Sequence, residues 1–380
     1  MEKIYLDHAS TTPADERVTM AMLPYFTQKF GNASSPHSFG LEAQKALEDS
    51  RETLAKFIGA ERAREEIVFT SGGTEANNLA LIGAARRLKI KGDHIIVSQI
   101  EHPSVLETAQ YLEKEGFRVT YLPVDREGKV SVEELQKVLS PDTILVSIMF
   151  ASNEIGTIQP ISEIGKITRE KSILFHVDAV QVVGHLPVDV KALNVDMLSL
   201  ASHKFYGPKG VGALYIRKGV AIDSYLFGGN QEKGLRASTQ NVAGAVGLAK
   251  AIEICETRMQ REEVQQTKLR NFLINGVLKT IAGSRLNGHP QDRLPNNAHF
   301  SFEGIKGEAL LLSLDMAGIA ASMGSACKAG SMEPSHVLKA IGLSNDLAFG
   351  ALRISIGRWT HKDHIEYLLE QLPKCIAQLR

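Results

Sequence analysis

An α/β fold with a mostly parallel central sheet, followed by a smaller α+β domain, is what the sequence predicts, on three observations. Short β-branched runs alternate with helix-period segments over the first two thirds of the 380 residues, the pattern of strands joined through crossover helices. A long helical pattern then runs from about residue 242 towards 280, and a second, shorter alternation of strands and helices fills the remainder.

The expected strands are "EIVFT", "HIIVS", "RVTYLPV", "TILVSIMFA", "ILFHVDA", "DMLSLA" and "GALYIRK". Amphipathic stretches such as "LEAQKALEDSRETLAKFI" and "VLETAQYLEKEG" separate most of them. In sheets of this kind ligands bind in the loops at the carboxyl ends of the strands. Beyond the long helix come a strand-like "NNAHFSF", a helix "GEALLLSLDMAG", a short "IAASM", a helix from Pro334, a strand "ALRISIG" and a C-terminal helix opened by Thr360. The expected division is a large domain over residues 14–258 and a small one over 1–13 and 259–380.

Composition narrows the function classes. With 43 Lys and Arg against 43 Asp and Glu, the net charge is zero, which leaves no electrostatic footprint for nucleic acid or an anionic membrane. The start "MEKIYLDHAS" has no apolar targeting run, and runs such as Ile144 to Ala151 are too short to span a bilayer, so a cytoplasmic location is expected. The three cysteines, Cys255, Cys327 and Cys375, lack the spacing of a zinc site or a disulfide framework, and no metal is expected. Cys255 and Cys375 lie in helical runs and read as packing residues. Cys327 sits instead in "SMGSACKAGSMEPS", residues 322–335, among small residues and beside Lys328. It is either a filler in a small-residue loop or a reactive thiol that the lysine helps to hold as thiolate.

Three further stretches carry chemistry. In "TSGGTEANNLAL" the turn Ser71–Thr74 follows a strand and opens a helix, so it is either a phosphate cup or an ordinary capped turn. It lacks the lysine of a nucleotide P-loop. Asp178, with Gln181 three residues on in "HVDAVQ", ends a buried strand. An acid there either holds a protonated nitrogen or caps a helix. Lys204 in "SHKFYGPKG" follows another strand. Desolvated, it is an amine able to form a Schiff base with an aldehyde; in a surface turn it merely stays solvated. Cup, acid and amine together are what pyridoxal 5'-phosphate (PLP) requires for its phosphate, its ring nitrogen and its aldehyde.

At this point the chain resembles the fold-type I PLP-dependent enzymes, and within them the cysteine desulfurases of the nitrogen-fixation and iron-sulfur-cluster branch. The resemblance covers essentially the whole chain, through "IYLDHASTTP", "GNASSPHSFG", "SGGTEANNLAL", "EHPSVLE", "SNEIGTIQP", "HVDAVQ", "SHKFYGPKG", "GGNQEKGLRASTQN", "GSACKAGSMEPSHVL" and "LRISIGRWT". It implies that Lys204 joins the cofactor aldehyde, Asp178 pairs with the pyridine nitrogen and Gln181 bonds the ring hydroxyl. His102 would stack on the ring and move protons. Gly73, Thr74, Ser202 and His203 would hold the phosphate, with Thr239 reaching it from a second subunit of a homodimer. Asn153 and Arg353 would bind the substrate carboxylate, Asn153 also touching the cofactor. Cys327 would be the nucleophile, on the longer, mobile loop of this branch, and would ligate a cluster at most transiently.

The implied reaction removes sulfur from L-cysteine, giving L-alanine and a persulfide on Cys327 that passes to an acceptor such as an iron-sulfur scaffold or a tRNA-thiolation protein. Selenocysteine lyase and aminotransferase are the alternatives on the same fold. Two departures from the family pattern fall on phosphate contacts: Ala201 stands where a serine is usual, with a hydroxyl at Ser202 instead, and Ser238 replaces a glycine in "RAST".

Overall fold

The computed structural model describes residues 3–324 and 333–380. After a short β1 (Ile4–Tyr5), the β-branched runs form β2 (Ile67–Thr70), β3 (His94–Ser98), β4 (Arg118–Leu122), β5 (Thr143–Met149), β6 (Leu174–Asp178), β7 (Met197–Ala201) and β8 (Gly212–Ile216). These seven make one sheet in the order β2-β8-β7-β6-β5-β3-β4. All of its pairings are parallel except those of β8, which runs antiparallel to both β7 and β2.

Five of the strands read as continuous apolar runs because both faces are covered: every residue of β2, β3, β5, β7 and β8 is buried. Strand order reverses between β3 and β5, and a reversal opens a crevice at the carboxyl ends of the two strands. The loops there carry His102 and Asn153.

A helix over Val242–Thr280 links two cores. Its first turns pack Leu248, Ala251, Ile252 and Cys255 against the large sheet's core, and its last turns pack Leu273, Ile274 and Val277 against a second core with Phe300, Leu352 and Leu368. That second core lines an antiparallel sheet in which β10 (Asn297–Phe302) lies between β9 (Ser284–Asn287) and β12 (Ala351–Ser355). The "IAASM" run supplies β11 (Ile319–Ala320), which pairs in parallel with β1.

The structure departs from the sequence expectation at two small elements. β9 is polar enough to read as loop, yet its Asn287 is buried because its amide donates to the Ser301 hydroxyl at 2.8 Å. The C-terminal helix is Lys362–Leu379, starting after His361 rather than at Thr360. The Thr360 hydroxyl instead accepts the Gly357 N–H at 3.0 Å and closes the preceding turn.

Candidate active site

The cup forms because β2 ends at Thr70 and the helix Gly73–Leu88 begins three residues later, with no side chain capping its first N–H groups. A Cβ at Gly73 would come within 2.6 Å of the Val180 Cγ2, so only glycine lets this turn lie against the loop that follows Asp178. Phosphate is favoured at such an end because unbonded N–H groups and the positive pole of the helix dipole point the same way.

Asp178 ends β6 and is buried; Oδ1 accepts the Val180 N–H at 3.0 Å and Oδ2 accepts the Asn77 amide at 2.7 Å. Lys204 ends the short 3-10 turn Ser202–Lys204 after β7. Its Nζ donates to the carbonyls of Ala9 and Ser10, both at 2.7 Å, and the Gln181 amide donates to the same Ala9 carbonyl at 3.0 Å. Arg353 is fully buried on β12. Its Nη2 donates to Asp7 at 2.8 Å and to the Ser10 hydroxyl at 2.7 Å, while Nη1 donates to the Asn153 carbonyl at 2.9 Å and the Gly324 carbonyl at 3.2 Å.

Gly73, Thr74, His102, Asn153, Asp178, Gln181, His203, Lys204 and Arg353 all line one cavity of about 320 Å³. Two expected residues do not. Ser202 turns away because side chains alternate as β7 runs into the turn; its hydroxyl is buried against Gly207, where a Cβ would come within 1.9 Å of it. Ala201, not Ser202, faces the cavity. Thr239 is exposed on the segment after Arg236, away from the cavity wall. Its neighbour Ser238 has φ 112°, a region where glycine is at ease and a serine is strained, so replacing the glycine has a conformational cost. Cys327 lies outside the described residues. The other two cysteines are buried, and burial pushes the Cys255 thiol up to about 12, which makes it a poor nucleophile near neutral pH.

Two of the cavity's imidazoles, His203 and His102, are disfavoured as cations. His203 is pushed down to about 4, by burial first and by Lys204 and Lys209 next. Burial also lowers His102, with Asp178 opposing and Lys204 and His336 adding to the fall. Sequence reasoning did not single out Ser10, Asn77, Ser104, Glu154 or His336, all of which line the same cavity. Asp7 and residues 9–12, quoted only as part of a family motif, turn out to hold Lys204, Gln181, His203 and Arg353 in place.

Behind His102, Glu101 is fully buried, its Oε1 accepting the Ser98 hydroxyl at 2.5 Å and the Met149 N–H at 2.9 Å while Oε2 has no partner among the described residues. Burial raises it from 4.5 to about 8. An acid whose folded value is raised holds its proton more tightly when folded, so its contribution is complete below the unfolded value and is lost as pH rises through about 8. Thermal unfolding should therefore occur at falling temperature as pH rises from about 5 to about 8, and Glu101→Gln should flatten that slope. Equal slopes in parent and variant would contradict a protonated Glu101.

The donor set fits PLP. It offers a helix N-terminus for the phosphate, a buried carboxylate with no cationic partner among the described residues for the ring nitrogen, and an amine lining the same cavity for the aldehyde.

Comparison with known proteins agrees with this chemistry. The aminotransferase class-V family model matches residues 4–368. The chain is 54% identical over a 382-residue alignment to the cysteine desulfurase IscS of Clostridium botulinum, which covers 100% of this chain and 96% of that one. Among solved structures it resembles a NifS-like protein with a TM-score of 0.92 at 40% identity, covering 99% of this chain and 100% of that one. It also resembles SspA in complex with cysteine, with a TM-score of 0.83 at 36% identity, covering 94% and 100%.

Proposed function

The chain belongs to the aminotransferase class-V family and is a PLP-dependent cysteine desulfurase acting on L-cysteine, and on that premise we propose how its residues divide the work. The observation that carries the assignment is the convergence of the cup, Asp178 and Lys204 on one cavity at the carboxyl ends of the strands. When bound, the cofactor supplies an aldehyde for the substrate amine and a ring that takes up electrons from the substrate's bonds. Gly73, Thr74 and His203 hold the phosphate, Asp178 keeps the ring nitrogen protonated and Gln181 meets the ring hydroxyl.

Arg353 binds the substrate carboxylate, with Asn153 beside it. Its guanidinium already shares Asp7, so the incoming carboxylate finds a cation that is oriented and partly neutralised. Lys204 takes the proton from the substrate Cα, and His102, lining the same cavity, exchanges protons with it. The Cys327 thiolate attacks the substrate sulfur. An S–S bond forms as the C–S bond breaks, its electron pair stays with carbon, and that carbon takes a proton to become the methyl group of alanine. The persulfide then passes to a sulfur-acceptor protein, an iron-sulfur scaffold or a tRNA-thiolation protein. Among the described residues no helix is long and apolar enough to cross a membrane, which is compatible with the cytoplasmic location we propose.

Two features support a homodimer. Thr239 is exposed and is not among the residues that line its own cavity, which leaves it available to serve a second copy's phosphate. Phe26, Phe30 and Phe39 are exposed close together in sequence, with the rings of Phe30 and Phe39 5.7 Å apart, as at an apolar interface. The proposed domain division, residues 14–258 against 1–13 with 259–380, places its boundary in the exposed middle of the long helix.

Incubation with L-cysteine should release alanine and transferable sulfur in equal amounts from a protein that sediments as a dimer. A fully active monomer would remove the shared site, and transamination without sulfur release would remove the desulfurase reading.

A further inference from the structure

Asn77 and Ser104 are buried, line the cavity and have no part in the division of work above. They form an unbroken chain between two residues that do. The Asn77 Nδ2 donates to Asp178 Oδ2 at 2.7 Å and to the Ser104 hydroxyl at 2.8 Å; that hydroxyl lies 2.8 Å from His102 Nδ1, and the Ser104 backbone N–H donates to the same Nδ1 at 3.1 Å.

The directions of these bonds follow from the groups at their ends. An ionised carboxylate only accepts, so Asn77 must turn its NH₂ towards Asp178, and the second N–H of that group goes to Ser104. A hydroxyl that accepts there still has its own hydrogen to give, and Nδ1 is the acceptor within reach. A backbone N–H can only donate, so Nδ1 is an acceptor on that side too. With its Nδ1 lone pair occupied, the neutral ring carries its proton on Nε2, the nitrogen left for the cavity.

We propose that Asn77 and Ser104 are positioning residues that lock His102 as its Nε2–H tautomer, so that it presents a hydrogen-bond donor to whatever occupies the cavity. The lock starts at Asp178, so the carboxylate assigned to the cofactor nitrogen also orients the imidazole assigned to stack on the same ring. The inference rests on the site roles proposed for those two residues, but the tautomer belongs to the chain itself and can be read without turnover.

The test is nitrogen magnetic resonance on the holoenzyme carrying isotope-labelled histidine, with the His102 signals identified by their loss in His102→Gln. The expected result is a protonated Nε2 and an unprotonated Nδ1. Ser104→Ala should populate the Nδ1–H tautomer and lower kcat about tenfold with KM little changed, the usual scale for losing a residue that orients a catalytic group. Ser104→Thr, which keeps the hydroxyl, should restore both. An Nδ1–H tautomer in the parent protein overturns the proposal whether or not any variant folds. So does a Ser104→Ala protein with the parental tautomer and parental kcat. If alanine release is absent while the Nε2–H tautomer is present, the desulfurase roles fail and the lock stands.

Discussion

Cys327→Ala is expected to give a yellow, folded protein that binds L-cysteine and releases almost no alanine or transferable sulfur. The substitution removes the one nucleophile assigned to the substrate sulfur and leaves the cup, Asp178 and Lys204 untouched. Loss of an essential nucleophile lowers turnover by roughly a thousandfold or more. No other described cysteine can replace it, since Cys255 and Cys375 are both buried and burial raises both thiols above their ordinary value. Turnover near the parental rate in Cys327→Ala would end the persulfide mechanism in favour of a lyase that expels sulfide directly.

Lys204→Ala is the second large effect expected. In the parent, Nζ is held by the Ala9 and Ser10 carbonyls at 2.7 Å, aimed from the end of a short turn into the cavity. Deleting it removes both the covalent hold on the cofactor and the Cα base that are proposed for it. General-base loss alone costs about a hundredfold to ten-thousandfold in rate. Borohydride fixation followed by peptide mapping should place the pyridoxyl group on Lys204 in the parent and nowhere in Lys204→Ala. A label on Lys209, five residues on, would move the assignment to that residue.

Lys204 and Asp178 were legible in the sequence for the same reason. Both stand at the ends of apolar strands, where a charge is costly unless it is used, and the seven β-branched runs that become β2 to β8 fix where those ends fall. Arg353 was not legible from its own stretch, because "ALRISIG" reads as a half-exposed strand with an arginine on its wet face. It is buried instead because Asp7, brought in by the N-terminal segment, neutralises it, and a contact between residues 346 positions apart leaves no periodic trace.

Asn77 and Ser104 were hidden in the same way. A polar residue near the start of a helix is ordinary, and only tertiary packing shows that these two face each other and Asp178. Ser202 shows the opposite error. A hydroxyl next to the His203–Lys204 pair was expected to reach the phosphate, but alternation along β7 sends it to the other side, against Gly207. Residue type at a given spacing suggested a contact; the direction of the side chain decided it.

The destination of the substrate sulfur decides between a persulfide mechanism and direct release of sulfide. A single turnover with sulfur-labelled L-cysteine, quenched and digested, locates it by mass spectrometry. The expected result is one labelled sulfur atom on the Cys327 peptide for each alanine formed, with the Cys255 and Cys375 peptides unlabelled. Alanine formed while the label sits on another cysteine, or leaves as free sulfide with Cys327 unmodified from the earliest time point, would contradict it.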